Sequence, residues 1–106
     1  AATLDQCDFS QANLSGCDMR KIQTPQSVFV RTCLDMADLS GSNLMQGNFQ
    51  KATFVGANLS GCNFFRADMS ETLLDRSTRI DSAYVRRTRL APYREGGHTH
   101  LGGDAV

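Results

Sequence analysis

The sequence predicts an all-β solenoid in which the chain turns a corner after every five residues and four such sides close one coil. A large apolar residue recurs at every fifth position from 4 to 74, and only Thr24 among these fifteen positions is not Leu, Phe or Met. A second series, two residues earlier, is small throughout except at Ile22. The predicted core consists of Leu4, Phe9, Leu14, Met19, Phe29, Leu34, Leu39, Leu44, Phe49, Phe54, Leu59, Phe64, Met69 and Leu74.

Neither an α-helix nor a flat strand can use this spacing. Five residues of a helix leave a net rotation of about 140°, so the apolar positions would spread around the whole cylinder. On a flat strand the fifth residue lies on the opposite face. A right-angled turn after every fifth residue keeps both series inward, and coils of about 20 residues then stack about 4.8 Å apart.

Polar residues complete the unit. Asn or Asp stands between the small and the large residue at positions 8, 13, 18, 38, 43, 48, 58, 63 and 68. We expect these side chains at the corners, because Asn and Asp tolerate turn conformations and hydrogen-bond their own backbone. Gly16, Gly41, Gly56 and Gly61 keep the same phase and are interpreted as corner glycines rather than as a phosphate-binding loop.

The phrase Ala-Asn-Leu-Ser-Gly at residues 12–16, with close copies at 37–41 and 57–61, resembles the pentapeptide repeat family. The resemblance extends over residues 2–75 and implies a right-handed quadrilateral β-helix of about four coils. The pattern departs from the family at Ile22, Thr24 and Pro25. Because proline cannot donate a ladder hydrogen bond, we expect a bulged or looped side there.

The chain divides into three predicted segments. Residues 1–75 form the β-helix, 76–94 form either a distorted final coil or a short helical cap, and 95–106 form a flexible Gly-rich tail. The phase slips by one residue after Leu74. The chain starts at Ala1 in phase and without a cap, so we expect a preceding domain of a larger protein, or a second copy in a homodimer, to cover that end.

Composition and motifs favour no catalytic role. Eleven basic and eleven acidic residues leave no net charge, and the inward positions offer no convergent polar groups. The pair His98 and His100 lies in the Gly-rich tail and is interpreted as solvated, with metal binding left open. The sequence therefore predicts no enzyme, no cofactor and no metal site.

The cysteines indicate a reducing compartment. Cys7, Cys17, Cys33 and Cys62 show no C-x-x-C spacing, and the three at inward positions fall in different columns of the coil. We interpret these three as small apolar filler and expect Cys33 to be partly exposed. The cytoplasm is the expected location, with secretion as part of a bacterial effector as the alternative.

Residues 20 apart are predicted to lie above one another, which stacks Met45 and Phe65 on one outward face. The predicted interaction surface comprises Met45, Phe65, Val30 and Arg66. The alternative is that these are ordinary scattered apolar residues, or that the C-terminal segment covers them. The arginines after residue 75 form either a solvated cap or a site for an acidic partner, and nucleic acid is not favoured.

Together these features predict a non-enzymatic structural and protein-interaction module. The family resemblance suggests a domain of a larger bacterial protein, of the effector or secretion-system accessory type, with a protein partner whose identity the sequence does not reveal and no membrane contact. The alternative, also implied by the resemblance, is a topoisomerase protection protein that binds DNA gyrase by mimicking DNA. That role requires a long acidic rod, whereas four coils rise only about 20 Å and the chain has no net charge.

Overall fold

The computed structural model describes residues 7–89, which form stacked coils joined by parallel β-bridges. Each bridge is isolated, and within 7–89 the chain forms no helix and no continuous strand. The bridges join residues 8 and 28, 13 and 33, 18 and 38, 23 and 43, 28 and 48, 33 and 53, 38 and 58, 43 and 63, 48 and 68, and 53 and 73. The separation of 20 residues between bridged residues confirms a four-sided coil. Within residues 7–89 there is also no helix that could cross a bilayer.

Each coil therefore presents four faces, which we number by their inward residues. Face 1 is centred on Phe9, Phe29, Phe49 and Met69; face 2 on Leu14, Leu34, Phe54 and Leu74; face 3 on Met19, Leu39, Leu59 and Ile80; face 4 on Thr24, Leu44, Phe64 and Val85.

Backbone hydrogen bonds run along the stack from coil to coil. The Phe29 N–H donates to the Asn48 carbonyl at 2.6 Å, and the Asn48 N–H donates to the Ser27 carbonyl at 3.0 Å. A second kind of bond closes each corner, as where the Ala52 N–H donates to the Phe49 carbonyl at 3.0 Å. Each side in the middle of the stack thus bonds to the coil above it and to the coil below it, as in a parallel sheet.

The predicted core residues lie in the interior. Those from Phe29 to Leu74 are buried, whereas Phe9, Leu14 and Met19 in the first described coil are partly buried and pack against them. On face 1 the rings of Phe9, Phe29 and Phe49 stack at centroid distances of 4.9 and 4.8 Å. Leu4 lies outside the described residues.

The small inward residues are more than filler. The Thr32 hydroxyl donates to the carbonyl of Phe9 at 2.7 Å, one coil below, and the Thr88 hydroxyl donates to the carbonyl of Phe64 at the same distance. The Cys62 thiol makes the same kind of bond to the carbonyl of Leu39 at 3.0 Å. Ser, Thr and Cys therefore fit the small inward position, and they also donate a hydrogen bond to a buried backbone carbonyl.

The predicted position of Asn and Asp at the corners is wrong by two or three residues. These residues sit in mid-side, where they form the β-bridges, and their side chains reach toward the corner. The Asn58 Oδ1, for example, accepts a hydrogen bond from the Ser60 N–H at 3.1 Å. The corner itself is the last residue of each five-residue unit, which takes a left-handed φ between 55° and 72° whether it is Gly61 or a side-chain-bearing residue such as Arg66.

The bulge expected at Pro25 is absent. Gln23 bridges to Asn43, Ile22 and Thr24 are buried, and Gln26 has the usual left-handed φ of 62°. Met45 occupies the equivalent position one coil later, and its N–H donates to the Asn43 side chain and not to a carbonyl of the neighbouring coil. Proline therefore gives up no ladder bond, and it suits the residue that precedes a left-handed corner.

After residue 73 one extra residue enters the coil. Bridges now join residues 21 apart, namely 58 and 79, 63 and 84, and 68 and 89. The corner bond runs from the Thr78 N–H to the Asp75 carbonyl at 3.1 Å, and the Asp75 side chain accepts from the N–H and the hydroxyl of Ser77. The ladder of β-bridges thus continues to residue 89. The division of the chain at residues 75 and 94, and the flexible Gly-rich tail after it, remain predictions.

Candidate interaction surface

The upper end of face 4 carries an outward aromatic pair. The Phe65 and Tyr84 rings stack at a centroid distance of 6.1 Å with an interplanar angle of 21°. The Arg66 guanidinium carbon lies 5.2 Å from the Phe65 centroid, within the range of a cation–π contact. Tyr84 is 47% exposed, whereas Phe65 beneath it is half-buried. We call Phe65, Arg66 and Tyr84 the aromatic cluster.

The ladder fixes the position of this cluster. The Phe64 N–H donates to the Tyr84 carbonyl at 2.7 Å, so Tyr84 lies directly above Asn63. The Phe65 N–H donates to the Asn63 Oδ1 at 3.0 Å, which holds the start of the corner. The two rings therefore stand on adjacent coils of a hydrogen-bonded backbone.

The four residues of the predicted interaction surface are only partly brought together. Phe65 and Arg66 belong to the aromatic cluster, and Met45 lies one coil below them, half-buried, where the Gln46 N–H donates to the Phe65 carbonyl. Val30 lies on face 1, around the corner, and is also half-buried. The structure thus groups Met45, Phe65 and Arg66 on face 4 and leaves Val30 on the neighbouring face.

Sequence reasoning missed Tyr84 as a member of this surface. An unbroken count in fives from Leu4 would place residue 84 at an inward position, whereas the phase slip after Leu74 takes it off that position. The extra residue near Asp75 moves it to the outward bridging position. The phase slip was visible in the sequence, and aligning Tyr84 with Asn63 across it would have revealed the pair.

Charge is distributed unevenly among the faces. Faces 1, 2 and 3 each carry acidic and basic residues, and face 3 pairs them in the ion pairs Arg20–Asp18 at 2.8 Å and Arg79–Asp81 at 3.5 Å. Within residues 7–89, the outward positions of face 4 hold three exposed arginines and no carboxylate. These arginines are Arg66, Arg86 and Arg87.

A second exposed apolar residue lies on face 2. Met36 is 69% exposed, but its thioether covers Gly56 one coil above, where an added Cβ would collide with the sulfur. Its N–H donates to the Val55 carbonyl at 2.8 Å. The contact with Gly56 makes Met36 part of the packing between coils.

The titratable groups of the described residues do not converge on a reaction centre. Burial raises the pKa of the Cys62 thiol to about 12, and no Cys forms a disulfide. Cys7, Cys17 and Cys33 are half-buried. Residues 7–89 contain no group of His, Cys, Asp and Glu side chains that could hold a metal ion. His98 and His100 lie outside the described residues.

Three carboxyl groups, exposed in Asp8 and Asp18 and half-buried in Asp75, are held in their charged form by local hydrogen bonds. The side chain of Ser10 lowers the pKa of Asp8, the side chain of Arg20 lowers that of Asp18, and the side chain of Ser77 lowers that of Asp75. The Ser10 N–H also donates to Asp8, and this bond, the Arg20–Asp18 bond and the Ser77–Asp75 bond each span two residues within one turn. These carboxylates stabilise corners and are not candidates for acid–base catalysis.

Comparison with known proteins identifies the repeat. The family model described as pentapeptide repeats matches residues 4–46 and 42–78, with eight copies. No curated protein matches the sequence.

Solved structures of pentapeptide repeat proteins are similar to this chain. One from the cyanobacterium Cyanothece 51142 is 26% identical with a TM-score of 0.67, over 83% of this chain and 63% of the other. One from the thylakoid lumen of Arabidopsis thaliana is 23% identical with a TM-score of 0.50, over 82% and 63%. One from Nostoc PCC 7120 is 18% identical with a TM-score of 0.56, over 88% and 77%. The chain thus spans under two thirds of the first two proteins, and the last two likenesses support the fold alone.

Proposed function

Because this chain belongs to the pentapeptide repeat family, we propose that it is a non-enzymatic module that presents face 4 to a protein partner. The observation that carries the proposal is the aromatic cluster, in which Tyr84 stays 47% exposed while Phe65 and Arg66 support it. Aromatic residues and arginine are the side chains most enriched at the centres of protein interfaces. The cluster also stands on a hydrogen-bonded ladder, so binding would order little backbone.

The setting of the module is part of the same proposal. We place it in a larger bacterial protein of the effector or secretion-system accessory type, and in a reducing compartment such as the cytoplasm. The lack of C-x-x-C spacing among the four cysteines, none of which forms a disulfide, is consistent with a reducing setting. Family membership is consistent with a structural role.

Site-specific photo-crosslinking tests the proposed face. A photoreactive phenylalanine analogue in place of Tyr84 should crosslink the chain to a discrete protein in a bacterial lysate. The same analogue in place of the exposed Arg20, on face 3, should not capture that protein. In addition, Phe65→Asp and Met45→Asp should each weaken the capture at position 84. Identical crosslinks from positions 84 and 20, or capture that both substitutions leave unchanged, would contradict the use of face 4.

Gyrase protection remains the alternative function, and a supercoiling assay separates the two. A DNA mimic needs an acidic surface, whereas the described part of face 4 is basic and the chain carries no net charge. We therefore expect purified chain at micromolar concentration to leave gyrase supercoiling unchanged. Inhibition of supercoiling, or protection of gyrase from a fluoroquinolone, would favour the alternative.

A further inference from the structure

The arginines of face 4 differ from the two arginines of face 3 in what surrounds them. On face 3, Arg20 and Arg79 are paired with carboxylates of their own face. On face 4, no outward position between residues 7 and 89 carries an acid. The nearest carboxylate along the chain after Arg66 is Asp68, on face 1, where it accepts hydrogen bonds from Gln50 and Ser70.

The spacing of these arginines follows the ladder. The Arg66 N–H donates to the Arg86 carbonyl at 3.1 Å, so the two residues lie on adjacent coils. Arg66 and Arg87 both occupy left-handed corner positions, with φ values of 57° and 55°, and are exposed. Adjacent coils are about 4.8 Å apart, and alternate side chains of an extended peptide recur about 7 Å apart, a distance that flexible arginine side chains can match.

The aromatic cluster supplies an apolar platform beside this charge. Tyr84 lies between the arginine-bearing corner and face 3, and its ring is backed by Phe65. An exposed ring backed by a second ring and next to several guanidinium groups fits a ligand that alternates acidic and apolar or aromatic side chains.

We propose that the Tyr84 end of face 4 binds an extended acidic segment of a partner protein. Carboxylates of the segment pair with Arg66, Arg86 and Arg87, and an apolar or aromatic side chain packs on Tyr84. A protein segment fits better than nucleic acid, because between residues 7 and 89 the outward positions of face 4 hold three arginines, and the neighbouring faces carry carboxylates that would repel a phosphate backbone. This inference rests on the proposed function and adds the chemistry of the partner.

Fluorescence anisotropy with a defined probe tests the inference. A short fluorescein-labelled peptide of alternating Glu and Tyr should bind the full chain at low salt, and affinity should fall as salt is added. Arg66→Glu should weaken binding by about fivefold or more, since an exposed ion pair contributes up to about 1 kcal/mol and charge reversal adds repulsion. Tyr84→Ala should weaken binding and retain the salt dependence.

The chain offers a matched control. Arg31 is an exposed arginine at the corner position of face 1, and its φ of 57° equals that of Arg66. Arg31→Glu makes the same change in net charge at the same kind of corner, so it should leave peptide affinity within twofold (about 0.4 kcal/mol). Circular dichroism of every variant checks that the fold is retained.

Each remaining outcome decides against the inference. Absence of peptide binding at low salt would overturn it, and so would equal losses from Arg66→Glu and Arg31→Glu. Tighter binding of an oligothymidine of similar length than of the peptide would overturn the choice of a protein partner. If crosslinking from position 84 captures a protein while the acidic peptide does not bind, face 4 remains the interface and the acidic nature of its partner is refuted.

Discussion

Gly47 is the inward small residue whose replacement tests the packing most directly. Its φ is not in the left-handed region, so the backbone does not require glycine here. A Cβ would lie 2.6 Å from Cε2 of Phe49 and 3.1 Å from the carbonyl oxygen of Leu44, well inside ordinary contact distance. The Phe49 ring cannot easily yield, because it stacks on Phe29 at 4.8 Å and meets Phe64 edge-on at 5.7 Å.

These distances set the expected magnitude. Alanine occupies the same site in the next two units, Ala52 and Ala57, yet Gly47→Ala should destabilise the fold by about 1–3 kcal/mol, as overpacking of a core does. Phe49→Leu removes the ring that causes the collision, at the cost of its stacking, worth about 0.5–1.5 kcal/mol beyond buried area. In the double variant the new methyl group should fit. The loss of stability should then be smaller than the sum of the single losses by about 1 kcal/mol or more.

Urea unfolding followed by circular dichroism measures all four states of this cycle. Gly61→Ala is the control, because its φ of 68° makes the cost one of backbone conformation and the nearest atoms to its added Cβ are 3.7 Å away. Phe49→Leu should not rescue that variant. If the effects of Gly47→Ala and Phe49→Leu add within about 0.5 kcal/mol, the reasoning from the Gly47–Phe49 contact is refuted.

Three further predictions concern the register, the buried thiol and acid stability. Leu59→Asp should abolish cooperative thermal unfolding, because an unpaired buried charge costs several kcal/mol. Ser15→Asp, at an exposed position, should leave unfolding cooperative, and equal effects of the two substitutions would contradict the five-residue register. The Cys62 thiol, with its pKa raised to about 12, should resist iodoacetamide at neutral pH until urea unfolds the chain. Rapid labelling of Cys62 itself in the folded protein, located by peptide mapping, would contradict its burial. The lowered pKa of Asp75 adds stability above the ordinary value of 3.8 that is lost as pH falls through the folded value. The stability difference between wild type and Asp75→Asn should therefore shrink below about pH 4, and a difference that does not change with pH would contradict this.

The register was predictable because a single physical constraint repeats along the chain. Every inward site lies in the same narrow interior, so each unit needs one small and one large apolar residue, and the spacing alone assigns Phe29 or Leu59 to the core. Exceptions were harder to interpret. Thr24 fills a large apolar position because its hydroxyl is 2.5 Å from that of Ser27 in the next small position, and such pairing between units does not show in a count of apolar residues.

Local chemistry at the corners was less accessible to sequence reasoning. Pro25 was expected to disturb its side of the coil, because proline lacks the N–H that a ladder hydrogen bond needs. The structure shows that, in units with Asn or Asp at the bridging position, the residue before the corner donates to that side chain instead, as Met45 does to Asn43. Which N–H groups the ladder uses depends on where the chain bends within each unit, and a period of five fixes only how often it bends.

The extra residue near Asp75 connects the fold to the proposed surface. Without it, the five-residue count would place Arg79, Tyr84 and Arg89 at large inward positions, and two guanidinium groups would have to enter an apolar core at a cost that the stack could not offset. With it, Ile80 and Val85 point inward and all three residues become outward bridge residues. The same shift places Tyr84 next to Phe65 and brings Arg86 onto the coil above Arg66. The extra residue near Asp75 is therefore needed for the last coil to fold, and it also brings the aromatic cluster together. The stability of the last coil and the surface proposed for binding thus depend on the same inserted residue.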